Sequence, residues 1–234
     1  MKKKVNPDFV YENFYDQLLN SGAVGKVSNW THKSLERTRR GVAPHFPVVL
    51  EIGAGQGQHL KFVKHSFNLY YETDIRLEVL EKATSSRYSP DGKTIIQMAI
   101  NAEDLSFFPN NSVDRIVISC VLAHLSNPRV AMMELSRILR PGGEIAIYLA
   151  SEPGFILRSL RWLSTVQKAR KMGLDHLRFN YLEHRNHFLF LKYLIQEVFE
   201  KDVVRFRSYP IPGMSWNFSL WKTVTVIRAK DTPT

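Results

Sequence analysis

Three glycines stand at alternate positions in the run Val48-Val49-Leu50-Glu51-Ile52-Gly53-Ala54-Gly55-Gln56-Gly57, directly behind an apolar, β-branched stretch. Glycine has no Cβ, so a turn built from such residues lets a ligand come close to the backbone. The GxGxG spacing differs from the GxGxxG of pyrophosphate-binding turns, which counts against a nicotinamide dinucleotide. Twenty-one positions after Gly53 comes Asp74, at the end of a second apolar run. There a carboxylate can accept hydrogen bonds from both hydroxyls of a ribose lying across the carboxyl edge of a parallel sheet. Either feature alone has an ordinary explanation, a tight turn for the glycines and a helix cap for the acid. Their pairing is what points to a nucleoside ligand.

Such a turn needs a strand to carry it and a helix to follow it. From Pro47 onward, short apolar runs alternate with longer amphipathic ones, the pattern of parallel strands joined by crossover helices. Strands are predicted at 48–52, 68–73, 94–98, 115–120 and 144–149. Crossover helices are predicted at 58–65, 77–84 and 129–139, the last stopped by Arg140-Pro141-Gly142-Gly143. A further helix is expected over 188–199. Two terminal strands, 203–209 and 219–228, read as an antiparallel closing pair because the turn joining them is short. The fold class is therefore α/β, a Rossmann-like doubly wound domain with a seven-stranded mixed sheet. Residues 1–46 read as an N-terminal helical cover, since Phe9, Tyr11, Phe14, Tyr15, Leu18 and Leu19 are too aromatic for a mere tail. Residues 47–234 form the main domain, with 154–185 as a cap inserted after the fifth strand.

An acid, an apolar residue and GxGxG stand together at Glu51, Ile52, Gly53, Gly55 and Gly57. Downstream come Asn101-Ala102-Glu103-Asp104-Leu105 with Phe107 and Phe108, then Ser112-Val113-Asp114-Arg115-Ile116-Val117. Val121-Leu122-Ala123-His124-Leu125 and Leu139-Arg140-Pro141-Gly142-Gly143 complete the series. In this order the motifs resemble those of the class I S-adenosylmethionine-dependent methyltransferases, with a core of the type 11 kind, over about residues 48–150. The resemblance implies S-adenosylmethionine as cofactor and S-adenosylhomocysteine as product. It also implies that Glu51 and the backbone of Gly53, Ala54, Gly55 and Gly57 hold the methionine portion, Asp74 the ribose, and Asn101 with Ala102 the adenine. Ser119 and Cys120 are expected near the sulfur. One departure stands at Asn101, where the family usually has Asp. An amide oxygen still accepts from the adenine amino group but brings no charge.

Transfer of a sulfonium methyl is an in-line displacement, which alignment can accelerate without covalent help. A hydroxyl acceptor would gain from a base, whereas a neutral amine or a thiolate needs none. His124, just after the fourth strand, is the first candidate base, weighed against a purely structural imidazole. His184 and His187 are three apart, with Tyr181 and Glu183 close by. On one helical face they would form an acceptor-side acid/base pair, weighed against plain surface or helix-start histidines. No metal site is expected, since nothing like HExxH occurs. Cys120 reads as a packed small residue at an apolar strand end and not as a nucleophile.

The chain has 234 residues, 44% hydrophobic and 23% charged, which fits one globular domain with an appended segment and excludes a disordered chain. Its single cysteine rules out a disulfide scaffold or a cysteine-built zinc module and fits a reducing compartment, so the expected location is the cytoplasm. Lys2, Lys3 and Lys4 are followed by polar residues and not by the apolar core of a signal peptide. No run reaches the roughly 18 to 20 apolar residues of a membrane-spanning helix.

The net charge is +10, and half of it falls in 154–185, where seven Lys and Arg meet two Asp and Glu. Within 154–171, Phe155, Ile156, Leu157, Leu160, Trp162, Leu163 and Val166 interleave with Arg158, Arg161, Lys168, Arg170 and Lys171. One reading is a lid that touches an anionic membrane or a phosphorylated lipid carrier. The other, slightly preferred, is a cap helix packed by its apolar face, its cations solvated. Nucleic acid is the weaker partner, because Ser119-Cys120-Val121-Leu122 stands where base-amine methylation has an NPPY-type tetrad. The expected function is methylation of a small molecule or a saccharide, including a lipid-linked one. RNA methylation and a non-catalytic donor-binding subunit are the alternatives.

Overall fold

The structure is a computed structural model that describes residues 22–36, 44–82, 93–171 and 174–230. Its sheet is built from β1 (Val48–Ile52), β2 (Leu69–Asp74), β3 (Thr94–Ala99), β4 (Val113–Ile118), β5 (Leu139–Ala150), β6 (Val203–Tyr209) and β7 (Trp221–Ile227). The order is β3-β2-β1-β4-β5-β7-β6. The first five strands pair in parallel, and β7 runs antiparallel to both β5 and β6, as the short closing link requires. β1 is buried from Val49 to Ile52 without polar alternation, the signature of a central strand covered on both faces. From β1 the chain leaves toward β2 and β3, then returns to lay β4 on the other side. That reversal opens a crevice at the carboxyl ends of β1 and β4.

The two faces of the sheet are filled differently. On one, Leu50, Ile52, Ile116, Ile118 and Ile145 meet α3 (Pro128–Ile138) through Met132 and Leu135, and α7 (Phe188–Val198) through Leu191 and Ile195. On the other, α1 (Gly22–Leu35) sets Leu35 against Val117 and Ala146, and Trp30 stands edge-on to Trp221 at 5.0 Å. Just beyond α1, Glu36 is buried. It accepts from His59 Nε2 at 3.1 Å, His65 Nδ1 at 3.1 Å and Arg115 Nη2 at 2.7 Å. Burial alone would raise the Glu36 pKa, but the two histidine bonds and the Arg115 charge hold it well below the usual carboxylate range. The expected aromatic cover at 9–19 lies outside the described residues.

Several elements differ from expectation for physical reasons. The helix predicted at 58–65 is only a 3₁₀ turn, Leu60–Phe62. Residues six apart on an α-helix point about 120° away from each other. A regular helix could not aim both His59 and His65 at one carboxylate. β4 spans Val113–Ile118 and not 115–120, so Ser119 and Cys120 lie past its end. β5 begins at Leu139, because Pro141-Gly142-Gly143 runs within the strand beside a register shift opposite β4. A Cβ on Gly143 would sit 2.8 Å from the Arg140 carbonyl oxygen and 2.9 Å from that of Asp114, so the irregularity needs glycine. The crossover predicted at 77–84 is α2 (Leu77–Leu80), with 83–84 outside the described residues.

After β5 come α4 (Phe155–Arg161), a π turn (Trp162–Val166), α5 (Gln167–Lys171) and α6 (His176–Glu183), then α7. Thr165, Val166 and Ala169 are buried, while Phe155, Leu160, Trp162 and Leu163 are exposed. The apolar face of this stretch is thus only partly packed on the domain. Among the described residues no helix is long and apolar enough to cross a membrane.

Candidate active site

The glycine turn occupies the β1 side of the crevice. Gly53 has φ 72° and Gly55 φ 55°, both in the left-handed region. A Cβ on Gly53 would collide with Cγ2 of Val121, so the loop leaving β4 can lie against this turn only because glycine is there. A Cβ on Gly55 would meet open space, which leaves that face of the backbone free for a ligand. The turn and Asp74 are one unit. Gly55 N–H donates to Asp74 Oδ2 at 3.1 Å, Arg76 N–H donates to Oδ1 at 3.0 Å, and Ala54 N–H donates to the Thr73 carbonyl at 2.8 Å. Each carboxylate oxygen keeps a further lone pair for a ribose hydroxyl. Glu51 lies beneath the turn. Its buried carboxyl accepts from the Tyr70 hydroxyl at 2.8 Å, and burial pushes its pKa up to about 7. It supports the turn from the interior and presents no carboxylate at the rim.

The loop after β3 carries the residues expected at the adenine. Asn101 is exposed and its Oδ1 accepts from Glu103 N–H at 3.0 Å, while Ala102 is buried. α3 holds this loop from outside: Glu134 accepts from Leu105 N–H at 3.2 Å, and Arg137 donates to the carbonyls of Leu105 and Phe108 at 3.0 and 2.9 Å. At the end of β4, Ser119 is half-buried. Cys120 is exposed, with φ 60°. The packed position expected for Cys120 is corrected by the early end of β4, where the chain turns sharply out of the sheet.

A second cluster stands beyond the ends of β4 and β5, beside α4 and α6. His124 and His184 meet edge to face with ring centroids 4.6 Å apart. His184 Nδ1 lies 2.5 Å from Glu152 Oε2, Arg161 pairs with the same carboxylate, and Arg161 Nη1 donates to Asn180 Oδ1 at 3.2 Å. His176 is buried next to them. Burial, then the neighbouring His184, lowers His124 to about 4. Burial, then Arg161, lowers His184 and His176 to about 4. All three imidazoles are neutral at pH 7.

His187 does not join them. His184 is the C-cap of α6 and exposed His187 the N-cap of α7, so the two never share a helical face. The break between them is imposed by Asn186, whose backbone N–H donates to the Ala123 carbonyl at 3.1 Å and whose amide donates to the Leu122 and Leu125 carbonyls at 3.0 and 2.7 Å. Sequence reasoning missed Glu152, His176 and Asn180, and it placed Arg161 among the solvated or membrane-facing cations of the cap, where the structure instead pairs it with the buried Glu152. Only Glu152 left a signal there, an acid just past the fifth strand, placed much as Asp74 is after the second. Among the described residues no three of His, Cys, Asp and Glu gather as metal ligands would.

Residues 50–147 match the family model for a methyltransferase domain. A methyltransferase of Claviceps purpurea (strain 20.1) is 36% identical over 103 residues, 44% of this chain and 31% of that protein. The tRNA 5-carboxymethoxyuridine methyltransferase of Escherichia coli (strain K12) is 23% identical over 160 residues, 66% of this chain and 60% of that one. The chain thus spans less than two thirds of the length of either relative. A Methanococcus maripaludis structure assigned as an S-adenosylmethionine-dependent methyltransferase has a TM-score of 0.64 at 16% identity, covering 100% of this chain and 99% of that one, and shows the shared fold. The matched domain, the strand order and the turn tied to Asp74 agree: residues 50–147 carry a methyltransferase domain of the class I S-adenosylmethionine-dependent kind. S-adenosylmethionine is the cofactor of that family, and the bare backbone at Gly55 beside a half-satisfied carboxylate fits it.

Proposed function

We propose that the protein transfers the methyl group of S-adenosylmethionine to a small-molecule or saccharide acceptor. The observation that carries this reading is the bond from Gly55 N–H to Asp74, which joins a side-chain-free turn to a ribose-sized acceptor pair at the switch point of the sheet. The bound donor supplies an electrophilic methyl carbon. Around it, the backbone of Gly53, Ala54, Gly55 and Gly57 holds the methionine portion, and Glu51, expected there too, instead lies buried beneath the turn. Asp74 holds the ribose, Asn101 and Ala102 the adenine, and Ser119 and Cys120 border the sulfur. The acceptor enters from the side of α4 and α6. A cleft of about 630 Å³ there is lined by Arg158, Ser159, Trp162, Leu163, Leu177 and Tyr181, a volume in the range of small-ligand sites.

A lipid-linked acceptor is favoured by one further observation. Phe155, Leu160, Trp162 and Leu163 are exposed among the cations Arg158, Lys168 and Arg170, which suits a cytoplasmic protein resting on an anionic membrane surface.

Titration calorimetry tests the donor site. Asp74→Ala should weaken S-adenosylmethionine binding by about 1.5 to 3 kcal/mol, the worth of a charge-assisted hydrogen bond. An unchanged dissociation constant contradicts the reading. Labelled donor supplied to fractionated extracts tests the acceptor, with label expected in small-molecule or glycan fractions. Label in RNA would replace this reading with RNA methylation, and donor binding without any transfer would make the protein a silent binding subunit.

A further inference from the structure

We propose that the acceptor atom is a hydroxyl oxygen and that its proton passes to Nε2 of His184, with Glu152 as the positioning residue. The inference rests on the methyl-transfer reading above and adds to it the identity of the atom methylated. A carboxylate can only accept, so the contact between Glu152 Oε2 and His184 Nδ1 at 2.5 Å puts the hydrogen on Nδ1 and leaves the lone pair on Nε2. Glu152 is held in turn. Arg161 pairs with its carboxylate, and its own carbonyl accepts from Phe188 N–H at 3.1 Å, which fixes the chain just beyond His184.

The dyad lies at the carboxyl edge of the sheet, beyond the ends of β4 and β5. Val121 presses against the Gly53 turn, and the N–H of His124 donates to the Val121 carbonyl at 2.9 Å, which brings the His124 ring against His184. The charged and titratable groups facing His184 are Glu152 and Arg161 from the β5–α4 side, His176 and Glu183 from α6, and His124 from the loop after β4.

In the step itself, a lone pair of the hydroxyl oxygen forms the bond to the methyl carbon. The carbon–sulfur bond breaks with its electrons going to sulfur, and the hydroxyl proton moves to Nε2 and from there to solvent. The oxygen becomes acidic as the new bond forms, so even a weakly basic, neutral imidazole suffices. A carbon acceptor would have to lose its proton before attack, which such an imidazole is too weak to bring about. A neutral amine would need no base at the moment of attack.

Nuclear magnetic resonance of the protein labelled with ¹⁵N-histidine tests the arrangement without any acceptor. At pH 7 His184 should carry its proton on Nδ1, and the Nε2–H tautomer would overturn the proposal. Transfer of labelled methyl to the extract fraction that wild type methylates tests the chemistry. His184→Gln should lower the rate by roughly 10²- to 10⁴-fold with the donor dissociation constant unchanged. Glu152→Gln, which keeps the side chain's shape, should lower kcat more than it alters KM and displace the acid limb of the pH–rate profile from its wild-type position near pH 4. Wild-type rates and an unmoved profile in both variants, or label attached to nitrogen or carbon, would overturn this inference and leave the methyltransferase reading intact. Failure of wild type to bind S-adenosylmethionine would instead remove that reading itself.

Discussion

The same set of side chains, one Glu, one Arg and two His, meets twice in this molecule. Under α1, Glu36 binds Arg115, His59 and His65; at the rim, Glu152 binds Arg161 and His184, with His124 against them. Their surroundings differ. Glu36 and Arg115 have side chains 2% and 5% exposed, while Glu152 and Arg161 are 9% and 26% exposed. In the dry knot the charges pair with one another out of reach of any ligand, even though His65 Nε2 and Arg115 Nε are left without hydrogen-bond partners, and the product is a fixed seat for α1. At the rim the carboxylate fixes one imidazole nitrogen and leaves the other for a ligand. Composition therefore does not separate a strut from a site; whether the capacity left over after folding can be reached from outside does.

The largest effect that would break this contrast is on stability. Arg115→Ala strands the buried Glu36 carboxylate and should cost about 3 to 5 kcal/mol, as removal of one partner of a buried pair does. Arg161→Ala leaves Glu152 its bond to His184 and opens a partly exposed space to water, so it should cost less, about 1 to 3 kcal/mol. Urea melts of the two variants measure the difference. Equal losses would show that the rim cluster is also a strut.

Titration sharpens the comparison next. Both clusters hold groups with depressed pKa values, and for each the sign is the same. His124 and His184 stay neutral in the folded protein down to about pH 4, while the unfolded chain protonates at about 6.5. Their share of stability is therefore complete above about pH 6.5 and is lost as the pH falls toward 4. Glu36, also depressed, adds its loss at pH values below the ordinary carboxylate range. Glu51 acts in the opposite sense, since its pKa is raised to about 7 and its ionisation costs stability as the pH rises from about 4.5 through 7. Thermal melts should thus show a falling Tm from pH 7 to 4. The double variant His124→Gln, His184→Gln should have a shallower slope over that range. An unchanged slope would mean that the rim imidazoles are not held neutral.

The unit of glycine turn and Asp74 was legible because it is local. Its elements are a contiguous strand-and-glycine run and one acid at the next strand end, and the bounds of β1 and β6 agree with the predicted 48–52 and 203–209. The cluster around His184 was not, because Glu152, Arg161, His176 and Asn180 are ordinary polar residues until the β5–α6 segment folds them together. The pairing of His184 with His187 failed for the same reason. It assumed a helix running on, and the side chain that ends the helix, Asn186, takes its bonds from a loop some sixty positions earlier. The length of β5 was misjudged because Pro141-Gly142-Gly143 stops α3 and also shapes the first residues of the strand.

The smallest expected effect concerns the outer side of the rim. There the exposed apolar residues Phe155, Leu160, Trp162 and Leu163 are unlike the buried face of α3, and their neighbours are cations. A surface of that kind gains from an anionic bilayer twice, through apolar contact and through roughly 1 kcal/mol per cation near the headgroups. Lys168→Ala removes one such cation from an exposed position, and should weaken sedimentation with phosphatidylserine vesicles about fivefold at moderate salt while leaving binding to neutral vesicles unchanged. Raising the salt should erase the difference between variant and wild type, because the Debye length shrinks to a few ångströms. If wild type ignores anionic vesicles at moderate salt, the membrane reading fails, and Trp162 and Leu163 serve a soluble acceptor through the cleft they line with Tyr181.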